Sequence, residues 1–362
     1  MVVFVIFRSV MKHYIIPVFI PHLGCPHQCI FCNQNKITGR QTPVTAEQVA
    51  AIIEERLAAI TQNRRIEVAF YGGSFTALPE DIQNELLTPA TQALRSGRIH
   101  AIRLSTRPDC ITGPIVDNLT KQEVNIVELG VQSLDDNVLG RSARGHNSQA
   151  VADAVRLLKM AGISCGLQLM PGLPGEDWLS LIGTVRQAIL LKPDFVRIYP
   201  AVVITGTVLA ELYSRGDYCP LSLAQAVARS AYMKLVFERQ GIAVIRTGLQ
   251  ASEELDSGEN VLAGPYHPAF GELVDSHIFY LMMTTFIEQA ALHHTTCLFI
   301  RHHPQDCSKV RGQHNINLSR LKHRYSLLTV NLHADSAVTR SSLVLEYQGS
   351  RYILNKNMIK SI

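Results

Sequence analysis

What the chain does not have narrows it first. Val2 to Phe7, the apolar run nearest the start, is broken by Arg8 and falls well short of the roughly 20 residues that span a bilayer, so no transmembrane helix is expected. A small-residue cleavage site after a charged lead is also missing, which argues against a secretory signal. Met11 is a candidate alternative start, so residues 1–13 read as an N-terminal extension. Eight cysteines in 362 residues are too few for a disulfide scaffold. No solenoid repeat and no low-complexity tract interrupts the chain. Lys plus Arg number 34 against 30 acidic residues, and a net charge of +4 is too mild a bias to identify a partner.

What is there is a large apolar fraction, 47% of residues, enough for a sizeable core and against global disorder. From Tyr14 to about Ile245, short aliphatic runs alternate with helical patterns. Strands are expected at Ile15–Ile20, Ile66–Phe70, Ala101–Ser105, Ile126–Leu129, Gly166–Met170 and Phe195–Tyr199. Helices are expected at Ala46–Thr61, Pro79–Leu94, Pro114–Lys121, Ala150–Ala161 and Asp177–Leu191. This α/β rhythm implies a parallel sheet with right-handed crossovers, here a partial (β/α)6 TIM-type barrel over residues 14–245, with its functional groups just past the C-terminal strand ends. Residues 246–292 read as a cover segment and connecting helix, and 293–362 as a small C-terminal α+β domain with strands near Thr296–Ile300, Leu327–Val330, Ser342–Glu346 and Tyr352–Leu354.

The densest chemistry is Gly24-Cys25-Pro26-His27-Gln28-Cys29-Ile30-Phe31-Cys32, directly after the first strand. Three thiolates at Cys-x3-Cys-x2-Cys spacing can each bind a separate iron of a [4Fe–4S] cluster, leaving the fourth iron open to a small molecule. The rival is a structural zinc site, which would have to recruit His22, His27 or a distant cysteine. Cys110, Cys165, Cys219, Cys297 and Cys307 have no partner spacing and read as small buried hydrophobes. Clustered thiols of this kind point to a reducing, cytoplasmic setting. One βα unit later, Gly72-Gly73-Ser74 closes the second strand with a turn whose backbone a ligand can approach closely.

The cysteine loop resembles that of the radical S-adenosylmethionine (SAM) enzymes, whose defining motif is this triplet at the end of the first barrel strand. The resemblance implies a [4Fe–4S] cluster on Cys25, Cys29 and Cys32, with SAM bound at the open iron through its amino and carboxylate groups. It further implies reductive cleavage to a 5′-deoxyadenosyl radical, chemistry that belongs to the cofactor, and an electron donor such as a flavodoxin or ferredoxin. Phe31 would then lie against the adenine, and Gly72, Gly73 and Ser74 would hold the methionyl amino group. Ser105 and Arg107 after the third strand, Glu128 and Gln132 on the fourth, and Gln168 on the fifth would sit where a ribose lies. Arg141 and Arg144 are candidates for the SAM carboxylate, with a solvated arginine as the alternative for each.

Taken together, Ser105–Asp109, Glu128–Ser133, Arg144-Gly145-His146 and Met170–Gly175 resemble the radical SAM half of the Elongator catalytic subunit, with oxygen-independent coproporphyrinogen III oxidases nearby. The Elongator subunit continues into an acetyltransferase domain. No acetyl-CoA loop is found here, and the roughly 90 residues after Gly271 are few for such a domain. Lys309, Arg311 and Gly312, between two short helices, resemble the turn of a KH RNA-binding domain, although Asn315 stands where that turn has its second glycine. An ordinary basic face is the alternative. RNA, in particular tRNA, is the favoured substrate class; a tetrapyrrole or another small molecule is the rival enzyme reading, and a non-catalytic iron–sulfur sensor the rival of another kind. His267 in the cover segment and Tyr199 at the sixth strand end are candidates for proton transfer near the substrate.

Overall fold

A computed structural model of the chain describes residues 13–20, 25–33, 44–61, 64–250, 253–256, 258, 260–292, 297–327, 329–347 and 349–359. Residues 1–12 of the expected extension, His22, Gly24 and Thr296 lie outside the described residues. Six strands fall where the apolar runs placed them: β1 (His13–Ile20), β2 (Arg65–Gly72), β3 (Ala101–Thr106), β4 (Ile126–Gln132), β5 (Ser164–Leu169) and β6 (Phe195–Ile198). After a two-residue strand β7 (Val203–Ile204) comes β8 (Ala243–Thr247), a strand the sequence reading did not separate. The sheet order β1-β2-β3-β4-β5-β6-β8 is parallel throughout, so the half-barrel has seven strands rather than six. The boundary expected at residue 245 falls inside β8.

Alternation along the strands divides two environments. Ile16, Val18, Val68, Phe70, Ile102, Leu104, Val127, Leu129, Leu167 and Val196 face the helical layer and join one buried apolar cluster with residues of the surrounding helices. The helices start at local signals. Thr45 caps Ala46–Ala58 reciprocally with Gln48, Asp177 caps Trp178–Leu190 with Ser180, and Ser222 caps Leu223–Arg239 with Gln225. The alternate positions turn into the barrel. At its floor Ala101, Ile126 and Phe195 pack together, and above them Glu67, Arg103, Glu128 and Arg197 form a buried or half-buried ionic layer.

The helix Leu223–Arg239 serves two cores. Met233 and Phe237 belong to the barrel cluster, whereas Ala226, Val227, Ala231 and Leu235 join the apolar core of the C-terminal region. That second core surrounds the helix Phe270–Gln289, apolar nearly all round, and the inner faces of β10 (Cys297–His302), β11 (Thr329–Ala334), β12 (Leu343–Tyr347) and β13 (Ser350–Leu354). These four strands form a sheet in the order β11-β10-β12-β13, with only the β10–β11 pair parallel. Between β8 and that region, β9 (Val261–Ala263) pairs antiparallel with β7. Of the five cysteines expected to be buried, Cys165 is; Cys110, Cys297 and Cys307 are half-buried and Cys219 is exposed, because Cys219 sits in the turn before Leu223–Arg239 instead of on an apolar face.

Candidate functional site

All parallel strands end at one mouth, and the candidate residues converge there. β1 leads to the cysteine loop, whose neighbour is the turn after β2. At Gly72 the φ is 114°, and a Cβ would stand 2.2 Å from the Ile20 carbonyl oxygen, so glycine is required where β2 runs against the end of β1. The turn carries Ser74 into burial, with its hydroxyl 3.1 Å from the Cys25 sulfur. Cys29 is buried, and two guanidinium groups donate to its sulfur: Arg144 Nη1 at 3.0 Å and Arg107 Nη1 at 3.6 Å. Cys32 closes the loop, its backbone N–H bonded to the Cys29 carbonyl at 3.1 Å. Among the described residues, no three His, Cys, Asp or Glu side chains gather closely enough to hold a single metal ion.

Arg107 and Arg144 are both buried but differently held. The fork of Arg107 grips Asp109 through Nε and Nη2, both at 3.0 Å, and Nη2 also donates to the Arg144 carbonyl. Arg144 donates Nη2 to the Gly130 carbonyl, while its buried Nε has no hydrogen-bond partner. Asp109 is approached by His27 Nε2 and His146 Nδ1, each at 3.8 Å. The His146 side chain is fully buried, and burial, reinforced by the Arg144 charge, lowers its pKa to about 4, so it is neutral near pH 7. His27 packs on the backbone of Gly145, where a Cβ would lie 2.3 Å from the ring.

The other mouth residues divide into those that join this group and those that do not. Gln132 is buried at a register shift in the β4–β5 ladder, with φ 71°, a left-handed conformation unusual for glutamine that turns the strand end. It accepts from Gln168 Nε2 at 3.3 Å. Phe31 packs with Met170, Leu173, Ala201, Val203 and Leu209, forming an apolar wall beside the loop. Gly73 and Ser105 are half-buried at their strand ends. Arg141 is exposed, its stem against Gly175.

Glu128 is held in the ionic layer of the barrel. Its carboxylate accepts from Arg103 Nη1 at 2.6 Å, Arg197 Nη2 at 3.0 Å and the Tyr71 hydroxyl at 3.4 Å. Arg103 also pairs with Glu67 at 2.7 Å, and Arg197 donates to the Tyr199 hydroxyl at 3.0 Å. Burial and the neighbouring Glu128 charge push Tyr71 up to about 12. Tyr199 thus belongs to the polar layer inside the barrel. His267 does not approach it in any described contact; its Nδ1 accepts from the Ala269 N–H at 3.0 Å, at the start of Phe270–Gln289.

In the C-terminal region Lys309 is half-buried and bound to Asp275 at 2.6 Å and Glu272 at 3.4 Å, so it fastens its helix to Phe270–Gln289. Gly312 is buried with φ 70°, against Ile316 and Asn317. Arg311 is exposed and reaches the Asn315 side chain at 3.3 Å. Arg320, Lys322 and Arg324 are exposed on the following helix, Ile316–Tyr325. Asp109 and His146 stand in motifs read from the sequence but were given no role there, and Glu67, Arg103 and Arg197 of the ionic layer were not singled out. The signal for the layer was there: Glu67, Arg103, Glu128 and Arg197 each place a charge within a mainly apolar strand.

The radical SAM superfamily profile matches residues 19–188, and a radical SAM C-terminal domain profile matches residues 193–279. A tRNA uridine(34) acetyltransferase of Methanocaldococcus jannaschii is 28% identical over 256 residues, covering 59% of this chain and 47% of the relative. An uncharacterized protein of the same archaeon is 30% identical over 231 residues, covering 60% of this chain and 70% of the relative. The chain spans about half the length of the acetyltransferase relatives it matches. The solved structure of Methanocaldococcus infernus Elp3 with its N-terminus (1–46) deleted aligns with a TM-score of 0.58 at 22% identity, over 78% of this chain and 64% of that one, a likeness of fold. No helix among the described residues is long and apolar enough to cross a membrane.

Proposed function

The chain belongs to the radical SAM superfamily, a family of enzymes, and from that premise we propose that it modifies tRNA, with a [4Fe–4S] cluster on Cys25, Cys29 and Cys32 and SAM across the neighbouring strand ends. The observation that carries the reading is the environment of Cys29, a buried sulfur facing two arginines of which one keeps a buried, unpartnered N–H. An anionic ligand beside the cluster loop would satisfy Arg144 Nε, and a carboxylate is the group that a guanidinium binds best. When bound, the cluster and SAM would supply one-electron cleavage of the sulfonium to a 5′-deoxyadenosyl radical.

The chain's own part is to hold, orient and exclude water. Gly72 fits the end of β2 against Ile20, which brings Gly72 and Gly73 to the place where a methionyl amino group would lie, and Ser74 steadies Cys25. Gln132 and Gln168 present amides to ribose hydroxyls, and the Phe31 wall shields an adenine. Glu128, Arg103, Arg197, Tyr71 and Tyr199 form a fixed polar surface within the barrel. In this reading residues 14–245 are the catalytic core, 246–292 the cover, and 293–362 a KH-like RNA-reading domain whose exposed cations are Arg311, Arg320, Lys322 and Arg324. The setting is cytoplasmic, with a flavodoxin or ferredoxin as electron donor. Support for tRNA comes from the relatives' names and from that basic helix–turn–helix surface.

The test is the modified-nucleoside profile of tRNA from cells lacking the gene, complemented with wild type or with Cys29→Ala. A uridine modification should vanish in the deletion and return only with wild type. An unchanged profile in the deletion strain overturns the tRNA assignment.

A further inference from the structure

Arg107 stands out among the charged groups at the mouth because its side chain is only 2% exposed and its donors are already engaged. Nε and Nη2 are spent on Asp109 and on the Arg144 backbone, which leaves Nη1 directed at the Cys29 sulfur. Burial opposes the Arg107 charge, and Asp109, followed by Cys29, holds it protonated. Such a group has no free fork for a nucleoside ligand. It does have a fixed cationic N–H on a metal-ligand sulfur, and hydrogen bonds and charge at ligand sulfurs are among the factors that set the potential of an iron–sulfur centre.

We propose that Arg107 is a positioning residue that raises the reduction potential of the cluster through its hydrogen bond to Cys29, and that Asp109 sets the strength of this effect by holding and partly neutralising the guanidinium. The proposal rests on the reading of Cys25, Cys29 and Cys32 as cluster ligands. The physical basis is simple. One-electron reduction adds negative charge to the cluster and its thiolates, and a buried cation beside one of those sulfurs stabilises the reduced form more than the oxidised form. Asp109 works against it, since its carboxylate lies behind the same guanidinium. Arg144, at 3.0 Å from the same sulfur, adds a second donor but keeps Nε free, so the two arginines divide the labour.

The two members of the pair must therefore shift the potential in opposite directions. The full chain is reconstituted anaerobically with iron and sulfide as wild type, Arg107→Met, Arg107→Lys and Asp109→Asn, and each is titrated at one pH with the reduced-state paramagnetic signal as readout. Relative to wild type, Arg107→Met should move the midpoint to more negative values and Asp109→Asn to more positive ones, with Arg107→Lys between Arg107→Met and wild type. Where Arg107→Met fails to fold or load, Arg107→Lys and Asp109→Asn, which keep size and polarity, give the same pair of opposite signs. Shifts of one sign in both, as general loosening or added solvent would give, overturn the proposal, as do unchanged midpoints in fully loaded variants. A wild-type protein that takes up zinc but no iron–sulfur cluster overturns the ligand reading itself and this proposal with it, an outcome told apart by metal analysis before any titration.

Discussion

Arginines at the barrel mouth and arginines on the C-terminal helices are the same side chain in opposite surroundings. Arg103, Arg107 and Arg144 are buried and donate to carboxylates, carbonyls and a sulfur in fixed directions. Arg311, Arg320 and Arg324 stand in solvent, paired loosely with Asn315, the Tyr280 ring and Glu288. Buried ion pairs are costly to break and rigid, which suits a place where a ligand must be held at one angle. Exposed cations add little to stability but attract phosphates from a distance. The difference teaches that position in the fold, more than charge count, decides what an arginine contributes here.

The sharpest way to break this contrast is inside the barrel. Glu128→Leu leaves Arg197 with the Tyr71 and Tyr199 hydroxyls and no carboxylate, and should lower unfolding free energy by about 3–5 kcal/mol in a denaturant titration of the metal-free protein. A loss below about 1 kcal/mol, the size expected of a surface pair, would put the two sets of arginines on the same footing.

Acid offers the next test. His146 has an ordinary pKa of 6.5 unfolded and about 4 folded, so only the unfolded chain takes up its proton between those values. Its contribution is complete above about pH 6.5 and is lost as pH falls toward 4, by roughly 3 kcal/mol at most. Replacing His146 by Gln should flatten that part of the stability curve, and an equally steep curve in the variant would contradict the assignment. Gly72→Ala, which sets a methyl group against the Ile20 carbonyl at a φ of 114°, should cost about 1–3 kcal/mol.

Smallest in stability are the C-terminal changes. Arg320→Ala removes a guanidinium 4.0 Å above the Tyr280 ring and should cost about 0.5–1 kcal/mol. Arg311→Glu with Arg324→Glu should change stability by about 0.5 kcal/mol or less yet weaken tRNA binding, with the slope of log affinity against log salt reduced by about 2. An undiminished slope would leave those cations without a phosphate role.

How much of this was readable in advance follows from how local each feature is. The cysteine loop and the Gly72-Gly73 turn are continuous in sequence, and β1 to β6 are apolar runs, so all were legible. β8 was not, because it is an edge strand whose Ala243 and Ile245 are exposed. The helix Leu223–Arg239 buries two faces in two cores and so shows no single stripe. Arg107 was legible as a mouth residue but not as a partner of Cys29, because that contact joins residues 78 apart. Lys309 looked like a free cation until folding brought Asp275 and Glu272 beside it.

The central claim is that Cys25, Cys29 and Cys32 hold a cluster with one iron left for SAM. Anaerobic reconstitution followed by reduction, metal analysis and paramagnetic resonance with and without SAM tests it most directly. About four irons and four sulfides per chain are predicted, with a reduced-state signal that shifts on adding SAM and is lost in Cys29→Ala. Stoichiometric zinc without iron, or a signal indifferent to SAM, would contradict it.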